Sequence, residues 1–302
     1  MLSLTPWISS AEALILGLAL ALIVGNPYRH FLQKVTHNLL AFSVVGLGAG
    51  MNLLVVGQVG LEGIGYTIIG IFLTLTLGYF IGRMLKIHRD TSLLISVGTA
   101  ICGGSAIAAV APAIKAKNQE VSVALGTVFL LNAVALVIFP PLGHYFSLSQ
   151  TQFGLWSALA IHDTSSVVGA ALQYGPKALQ IATTVKLARA LWIVPVTFGV
   201  GFLRAREGQA EGGAGKAKKP WFILGFVIAA ALVTWVPSLQ PAGHVVEMLA
   251  KHGLVLTLFL IGSNLTKDTI KSVGFRPFVQ GFCLWILMAT GSLGALLLGW
   301  IH

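Results

Sequence analysis

The chain has 302 residues, of which 56% are hydrophobic and only 9% are charged, and its mean hydropathy is +0.87. Soluble globular domains carry about 25% charged residues, so this composition excludes an ordinary water-soluble protein. The sequence therefore predicts an all-α polytopic membrane protein. Cys102 and Cys283 lie far apart in apolar segments, a spacing that argues against a disulfide framework or a metal site.

Ten apolar stretches are predicted to cross the bilayer, since a span needs about 20 largely apolar residues. The first follows MLSLTPW, which has neither the basic segment nor the cleavage site of a signal peptide, so we expect a retained span. The longest polar stretch, 204–220, is rich in glycine, alanine and lysine and is expected to form a flexible cytoplasmic loop. The predicted spans are 10–25, 38–57, 64–82, 92–114, 121–140, 153–174, 183–203, 221–237, 245–265 and 278–300.

The ten spans divide into two halves of five, at residues 1–150 and 151–302. Because five is an odd number, the second half would be inverted in the membrane relative to the first. Inverted repeats of this kind build transport sites where two interrupted helices meet near the middle of the membrane. The sequence therefore predicts about ten transmembrane helices, arranged as two inverted five-helix repeats with two crossed discontinuous helices.

The distribution of basic residues predicts the orientation. Of the 19 Lys and Arg residues, 13 lie in the loops after spans 1, 3, 7 and 9. Five lie in or beside the loops after spans 4 and 6, among them Lys115 and Lys117, and one lies in span 9. The positive-inside rule places the richer loops in the cytoplasm of a bacterial-type inner membrane, with both termini outside. The net charge of +10 is thus a topology signal, and no long loop interleaves aromatic and basic residues as a nucleic-acid surface would.

Span 4 has two adjacent glycines near its centre, in the stretch TAICGGS. A Gly-Gly pair costs about 2 kcal/mol relative to Ala-Ala inside a helix. One interpretation is close helix packing through small residues. The other is a broken helix whose backbone amides face a ligand, with a similar break in the GSN stretch of span 9 as its partner. The residues predicted to form a binding centre at these two breaks are Cys102, Gly103, Gly104, Ser105, Ser263 and Asn264.

Span 6 contains AIHDTSSVVGAA, and its Asp163 is the only acid well inside a predicted span. A charge at mid-membrane costs about 2.5–3.5 kcal/mol on insertion scales, so it indicates a pathway, a proton site or a buried ion pair. Asp163 followed by Thr164, Ser165 and Ser166 resembles a helix N-cap and first turn. A half-helix that starts here would offer free N–H groups to an anion, and His162 adds a group suited to proton exchange. The alternative is that Asp163 only caps a helix and pairs with a basic residue.

Span 7 supplies Lys186 and Arg189, which lie three residues apart and hence on one face of a helix. Arginine binds sulfate or a carboxylate in a bidentate manner and lysine adds a point charge, so the pair is suited to an anion. The alternative is that both long side chains reach the extracellular water. Glu247 and Lys251, four residues apart in span 9, predict an interfacial salt bridge.

Two pairs of glycines have the spacing of small-residue helix interfaces. They are Gly46 with Gly50 and Gly78 with Gly82. Glycines four residues apart let two helix backbones approach closely. The pairs therefore predict helix contacts, either within one protomer or between the protomers of a homodimer.

Several of these stretches together resemble one family. SVGTAICGGSAIAAVAPAIKA followed by VALGTV, then HDTSSVVGAA and KLARALWIVPV, are similar to the YeiH family, whose members are described as sulfate exporters. The resemblance runs from about residue 25 to the end of the chain; members of that family often have an additional N-terminal span, which is not expected in this chain. It implies a fold related to sodium/bile-acid symporters and sodium/proton antiporters, with inverted repeats and two crossed, broken helices. The matching positions are 101–105, His162, Asp163, Lys186 and Arg189.

Two kinds of transporter remain open. The first is a secondary active transporter of an anion, inorganic such as sulfate or a small organic acid, that works by alternating access. In it Lys186 and Arg189 would attract or bind the anion, and His162 and Asp163 would carry proton coupling or gate the site. The second is a sodium- or proton-coupled cation exchanger that uses Asp163. A passive channel or an enzyme is less favoured, and no cofactor is expected, because no nucleophile motif, metal cluster or nucleotide-binding loop is present.

Overall fold

The computed structural model describes residues 10–23, 25–26, 29–206, 221–264 and 273–301. Within these ranges the chain forms α-helices and one short 3-10 helix, Pro237–Leu239, with no β-strand, which confirms the all-α prediction. Most of the predicted loop, from 207 to 220, lies outside the described residues. The helices are α1 (Ser10–Ile23), α2 (Arg29–Gly48), α3 (Leu53–Met84), α4 (Arg89–Ala100), α5 (Gly104–Ala113), α6 (Asn118–Tyr145), α7 (Gln150–Ala160), α8 (Thr164–Tyr174), α9 (Pro176–Ala190), α10 (Ile193–Arg206), α11 (Trp221–Trp235), α12 (Gln240–Asn264) and α13 (Phe275–Leu297).

Five helical stretches of the described chain are long and apolar enough to cross a membrane. Shorter apolar helices, such as most of α1 and α11, account for further predicted spans. Many large apolar side chains are exposed, including Phe72 and Phe275, as expected for a surface that meets lipid. The architecture is that of a multi-helix membrane protein. The five stretches are Gly65–Met84, Gln119–Tyr145, Pro176–Arg204, Pro237–Asn264 and Phe275–Leu297.

The fourth predicted span is two half-length helices joined by a break. α4 has 12 residues and α5 has 10, so they are about 18 and 15 Å long, roughly half the apolar thickness of a bilayer. Both outer ends lie on the same side of the molecule. Asp90 at the start of α4 pairs with Arg204 of α10, and a Cβ atom at Gly201 of α10 would lie 3.7 Å from the Cβ of Ala113, the last residue of α5. The two helices therefore form a re-entrant hairpin, hairpin A (89–113).

The sixth predicted span is a second re-entrant hairpin, hairpin B (150–174), whose helices α7 and α8 have 11 residues each. Gln150 at the start of α7 accepts a hydrogen bond at 2.9 Å from the backbone N–H of Lys177, just beyond α8. The rings of Phe153 and Tyr174 stack with their centres 3.8 Å apart. The second helix thus returns to the end at which the first began. The prediction that this span crosses the membrane is wrong, because the chain turns back at the break.

The hairpins start from opposite ends of α6, which has 28 residues. Near the start of α6, a carboxylate oxygen of Glu120 lies 2.7 Å from Nδ1 of His88 at the base of hairpin A. The other end of α6 leads directly into hairpin B. Lys115 and Lys117 follow hairpin A and therefore lie on the same side as Arg204. The prediction that these two lysines lie on the less basic side is wrong, and their true position makes the charge asymmetry stronger.

The helices form two groups. α1, α2, α11 and α12 pack mainly against one another and are called the lateral bundle; α3 to α10 and α13 form the core bundle. α13 supports hairpin B, because the indole N–H of Trp156 donates to the carbonyl oxygen of Ala289 at 2.9 Å. The bundles meet along α8, where a Cβ atom at Gly169 would lie 2.7 Å from a methyl carbon of Leu258 in α12.

The break predicted in span 9, in the stretch 262–264, is not seen in the residues that the structure describes. α12 runs without interruption to Asn264, and residues 265–272 lie outside the described chain. Gly262 instead serves close packing, because a Cβ atom there would lie 2.2 Å from a backbone oxygen of α1. The predicted salt bridge between Glu247 and Lys251 forms on the same helix, with 2.7 Å between the charged atoms. The partner of the break in span 4 is the break in span 6.

Both predicted glycine pairs lie at helix interfaces within the chain. A Cβ atom at Gly46 of α2 would lie 2.8 Å from the Cβ of Ala250 in α12. One at Gly78 of α3 would lie 2.7 Å from the Cβ of Ser96 in α4. These distances are shorter than van der Waals contact, so the helices approach as closely as they do only because the side chains are absent.

Gly78→Ala is expected to destabilise the protein by about 1–3 kcal/mol, because the added methyl group forces α3 away from α4. The matched control is Gly65→Ala in the same helix, where nothing lies within 4 Å of the added carbon. Alanine favours helix more than glycine does, so the control should keep or slightly raise stability. Thermal unfolding in detergent, followed by tryptophan fluorescence, measures the difference. If Gly78→Ala unfolds at the same temperature as Gly65→Ala, the close contact between α3 and α4 is refuted.

Candidate functional site

The tips of the two hairpins meet beside the middle of α6. Gly103, the last residue of the break in hairpin A, has φ 67°, a conformation that residues with side chains rarely adopt. A Cβ atom here would lie 3.3 Å from Cα of Asp163 at the tip of hairpin B, and 3.4 Å from a methyl carbon of Val128 in α6. The backbone conformation favours glycine strongly, and the close approach leaves little room for a Cβ atom. The predicted unwinding of span 4 at its glycine pair is confirmed.

The tip of hairpin B is bound to α6 and starts a new helix. Asn132, near the midpoint of α6, accepts hydrogen bonds from the backbone N–H groups of His162 at 3.1 Å and Asp163 at 3.3 Å. Asp163 is the N-cap of α8, since its Oδ2 accepts from the backbone N–H of Ser166 at 3.2 Å and from the hydroxyl of Ser165. The predicted N-cap and half-helix are confirmed, and a carboxylate is thereby fixed where the two tips meet.

Lys186 and Arg189 of α9 are fully buried and cap the C-terminal ends of α4 and α7. Arg189 donates from Nε to the carbonyl oxygen of Ala100 at 2.7 Å and from a terminal nitrogen to that of Leu159 at 2.7 Å. One guanidinium thus joins the end of α4 to the end of α7. Lys186 donates to the carbonyl oxygen of Ile161 at 2.7 Å. Longer bonds run from Arg189 to the carbonyls of Thr99 at 3.2 Å and Ala158 at 3.3 Å, and from Lys186 to that of Ala158 at 3.3 Å.

These caps make the electrostatics of the tips asymmetric. A helix C-terminus carries partial negative charge, and the two cations neutralise it at α4 and α7. The N-termini of α5 and α8, with their partial positive charge and first-turn N–H groups, begin at the same tips. The alternative that Lys186 and Arg189 reach extracellular water is wrong, because both are fully buried. Lys186 and Arg189 contribute two positive charges at the tips and Asp163 contributes one negative charge, so the formal charge of the site is positive.

The residues of the site differ in exposure. Ser105, in the first turn of α5, is exposed although it lies at the inner end of a half-length helix. Gly104 and Asp163 are half-buried, whereas Cys102 and Thr164 are buried. A solute that reaches the hydroxyl of Ser105 therefore meets the N-terminus of α5 beside the carboxylate that caps α8.

Three buried side chains at the tips have polar atoms without a hydrogen-bond partner among the described residues. Neither ring nitrogen of His162 has a hydrogen-bond partner within the described ranges, and neither does the hydroxyl of Thr99 nor the amide nitrogen of Asn132. Buried polar groups in folded proteins are nearly always paired with protein or with ordered water. These groups therefore indicate a place for water or a polar solute inside the site.

Ser263 and Asn264 make their hydrogen bonds away from the hairpin tips. The carbonyl oxygen of Ser263 accepts from the side-chain amide of Asn26 at 2.8 Å. The amide of Asn264 donates to the hydroxyl of Thr36 at 3.4 Å. These bonds connect the end of α12 to its neighbours in the lateral bundle. The other predicted site residues lie at the two hairpin tips or, in the case of Lys186 and Arg189, in α9 beside them.

A cluster of three potential metal ligands lies at the base of hairpin A. His88, Asp90 and Glu120 each have a ligand atom within 4.8 Å of the others. Asp90 is paired with Arg204, and Glu120 also accepts a hydrogen bond at 2.8 Å from the backbone N–H of Lys117 as part of a helix cap. Both carboxylates are thus already bonded within the protein, and the cluster serves to hold the hairpin base together.

Asn132 is the site residue that the sequence analysis missed. It stands in the apolar stretch FLLNAVAL, near the centre of a predicted span. A polar side chain at that depth is the same kind of signal as Asp163, because an amide in hydrocarbon is costly unless it is bonded. The signal is present in the sequence, but the partner becomes visible only when hairpin B is placed against α6.

Comparison with known proteins agrees with a membrane protein. The family model described as Conserved hypothetical protein 698 matches residues 1–281. A UPF0324 membrane protein of Bdellovibrio bacteriovorus is 71% identical over 98% of this chain and 91% of the relative. Those of Porphyromonas gingivalis and Geobacter sulfurreducens are 53% and 49% identical, over 97% and 98% of this chain and 88% and 93% of the relatives. No solved structure matches the chain. The protein therefore belongs to the UPF0324 family of membrane proteins.

Proposed function

We propose that this protein is a secondary active transporter of a small anion, inorganic such as sulfate or organic, and that it works by alternating access. The observation that carries the proposal is the meeting of two half-helix N-termini, those of α5 and α8, at the tips of hairpins that enter from opposite sides. Secondary transporters bind their substrates near mid-membrane at discontinuous helices of this kind. Transport, and not catalysis, is the proposed activity.

The charges at the tips favour an anion over a cation. Lys186 and Arg189 are buried there with Asp163 as the acid beside them. Because the two cations already bind carbonyl oxygens, the direct contacts to an anion would come from the first-turn N–H groups of α5 and α8 and from the hydroxyl of Ser105. The cations would attract the anion through their field, without touching it.

Asp163 is the proposed coupling group. Its Oδ2 is held by the hydroxyl of Ser165 and the N–H of Ser166, so a proton or sodium ion that neutralises it changes the charge at a fixed point beside the anion. Such a change alters the affinity of the site and links the two fluxes. His162, buried next to it, is proposed to take part in proton exchange.

Hairpins A and B enter the protein from opposite sides, and this arrangement supports an inverted repeat. Hairpin A with α6 covers 89–145, and hairpin B with α9 and α10 covers 150–206; each unit is a hairpin followed by a crossing segment. We propose that these units are the centre of the two inverted repeats and that the YeiH-like features mark a sulfate-type substrate. The basic side would face the cytoplasm of a bacterial-type inner membrane, with both termini on the other side.

Uptake of radiolabelled anions into proteoliposomes, with and without imposed pH or sodium gradients, tests the proposal. We expect Ser105→Ala to retain uptake and Ser105→Phe to reduce it at least about tenfold, equivalent to about 1.4 kcal/mol. The position is exposed, so the ring fits the fold but covers the N-terminus of α5. If Ser105→Phe takes up the anion as fast as Ser105→Ala does, the substrate does not bind at the N-terminus of α5.

A sodium- or proton-coupled cation exchanger is the second candidate. It is favoured by the carboxylate of Asp163 next to the hydroxyls of Ser165 and Ser166, since hard cations bind oxygen ligands. The same liposomes separate the candidates. Cation flux without movement of any anion under either gradient would favour the exchanger.

A further inference from the structure

A cavity of about 550 Å³ lies between α3, α4 and α10 on the basic side of the protein, away from the hairpin tips. Its lining changes along the helices. Each helix contributes an arginine near its end at the membrane boundary and an aliphatic residue one or two turns deeper. The arginines are Arg83, Arg89 and Arg204, and the aliphatic residues are Leu75, Leu93 and Val200.

The mouth of the cavity is positively charged. Arg83 donates a hydrogen bond at 3.2 Å to the hydroxyl oxygen of Tyr79, so this contact is not an ion pair with a carboxylate. Arg204 pairs with Asp90, and Lys86 is exposed nearby in the turn after α3. Guanidinium groups bind phosphate oxygens in a bidentate manner, so the mouth is suited to a phosphate group.

The walls of the cavity belong to helices that meet lipid. α3 and α10 lie in stretches long and apolar enough to span a membrane. Phe80 and Phe202, close to the arginines on these helices, are 61% and 58% exposed. A ligand that enters from this side therefore meets cations at the level of the headgroups and aliphatic side chains below them.

We propose that this cavity binds an anionic phospholipid, with its phosphate on the arginines and the first part of an acyl chain along Leu75, Leu93 and Val200. Basic pockets between transmembrane helices on the cytoplasmic side are suited to anionic headgroups. A free phosphate or sulfate ion would use the arginines but would leave the aliphatic wall unused. The proposal does not depend on the transport activity.

Native mass spectrometry of the delipidated protein tests the site, with phosphatidylglycerol, phosphatidylcholine and inorganic phosphate as separate probes. We expect phosphatidylglycerol to bind more tightly than phosphatidylcholine, and Arg83→Gln with Arg89→Gln to weaken it about 10- to 30-fold. Both arginines are exposed, so the fold should persist. Lys177→Gln, an exposed cation at the base of hairpin B, is the matched control and should bind as the wild type does.

Val200→Trp separates the lipid from a free ion. The larger side chain fills the apolar part of the cavity and leaves the arginines in place, so it should weaken phosphatidylglycerol and leave inorganic phosphate unaffected. Undiminished phosphatidylglycerol binding by the double arginine variant would overturn the site. Equal binding of inorganic phosphate and phosphatidylglycerol, with no effect of Val200→Trp, would overturn the lipid assignment and indicate a free-anion site.

Discussion

Replacing Arg189 with alanine is expected to lower the free energy of unfolding by about 3 kcal/mol or more and to leave little folded protein in detergent. The guanidinium donates at 2.7 Å to the carbonyl oxygens of both Ala100 and Leu159, and so holds hairpins A and B together. Each buried carbonyl that loses its donor costs roughly 1–3 kcal/mol. The yield of monodisperse protein and its thermal unfolding measure the effect.

Two further variants separate this role from a general loss of charge. Arg189→Lys keeps a cation but replaces the planar fork by one ammonium group, so it should recover only part of the stability. Arg206→Ala in α10 is the matched control, because that exposed guanidinium lies over the ring of Phe202 at 4.5 Å and should contribute about 0.5–1 kcal/mol. If Arg189→Ala and Arg206→Ala unfold at the same temperature, the hydrogen bonds of Arg189 between the hairpins do not contribute to stability.

Asp163→Asn is expected to reduce transport by about 10- to 100-fold and to leave the melting temperature nearly unchanged. Asparagine caps a helix as well as aspartate does, so α8 should still begin at this position. Transport is lost because the neutral amide of asparagine cannot be switched between a charged and a neutralised state, and a 10- to 100-fold change corresponds to about 1.4–2.8 kcal/mol. Uptake into proteoliposomes and thermal unfolding, measured on the same preparation, test the two halves of this prediction.

The contribution of the cap is measured separately. Asp163→Ala removes both charge and cap and should lose about 1 kcal/mol of stability in addition to transport. Ser149→Ala removes the N-cap of α7 at the base of the same hairpin. The hydroxyl of Ser149 accepts a hydrogen bond at 3.3 Å from the backbone N–H of Gln152. This variant should lower stability but preserve uptake. Wild-type uptake by Asp163→Asn would make the carboxylate purely structural.

Local features of the chain were predictable because their physics is local. The break at Gly103 follows from the cost of adjacent glycines in a helix and from a backbone conformation that other residues avoid. The start of α8 at Asp163 follows from the capping chemistry of aspartate. The contacts of the glycine pairs at Gly46 and Gly78 follow from the spacing of small residues on one helix face. None of these requires knowledge of a distant part of the chain.

The direction of the chain after each break was not predictable from apolar length. A run of 25 residues that crosses a membrane and two half-helices that turn back have the same composition, because both lie in hydrocarbon. The return of hairpin B is decided by distant contacts, such as the bond from Lys177 to Gln150 and the stacking of Phe153 on Tyr174. The position of Lys115 was wrongly predicted for the same reason, since it depends on whether hairpin A crosses.

The roles of the basic residues also required the tertiary structure. The sequence places Lys186 and Arg189 on one helix face but leaves open what that face meets. In the fold it meets the C-termini of α4 and α7, whose carbonyl oxygens lack partners within their own helices. A cation that could bind a solute is equally suited to a helix end, and only the packing of α9 against the hairpins decides between them.

The sequence by itself determined the class of protein and two places where its helices break, Gly103 and Asp163. Composition excludes a soluble fold, because so few charged residues cannot cover a surface in water, and AIHDTSSVVGAA marks a helix start through its own capping group. Only the tertiary structure decided that the breaks at Gly103 and Asp163 are hairpin tips that meet at Asn132. The physical reason is the range of the interactions: capping and helix propensity act within one turn, whereas the bonds that join the tips connect residues 30 to 90 positions apart.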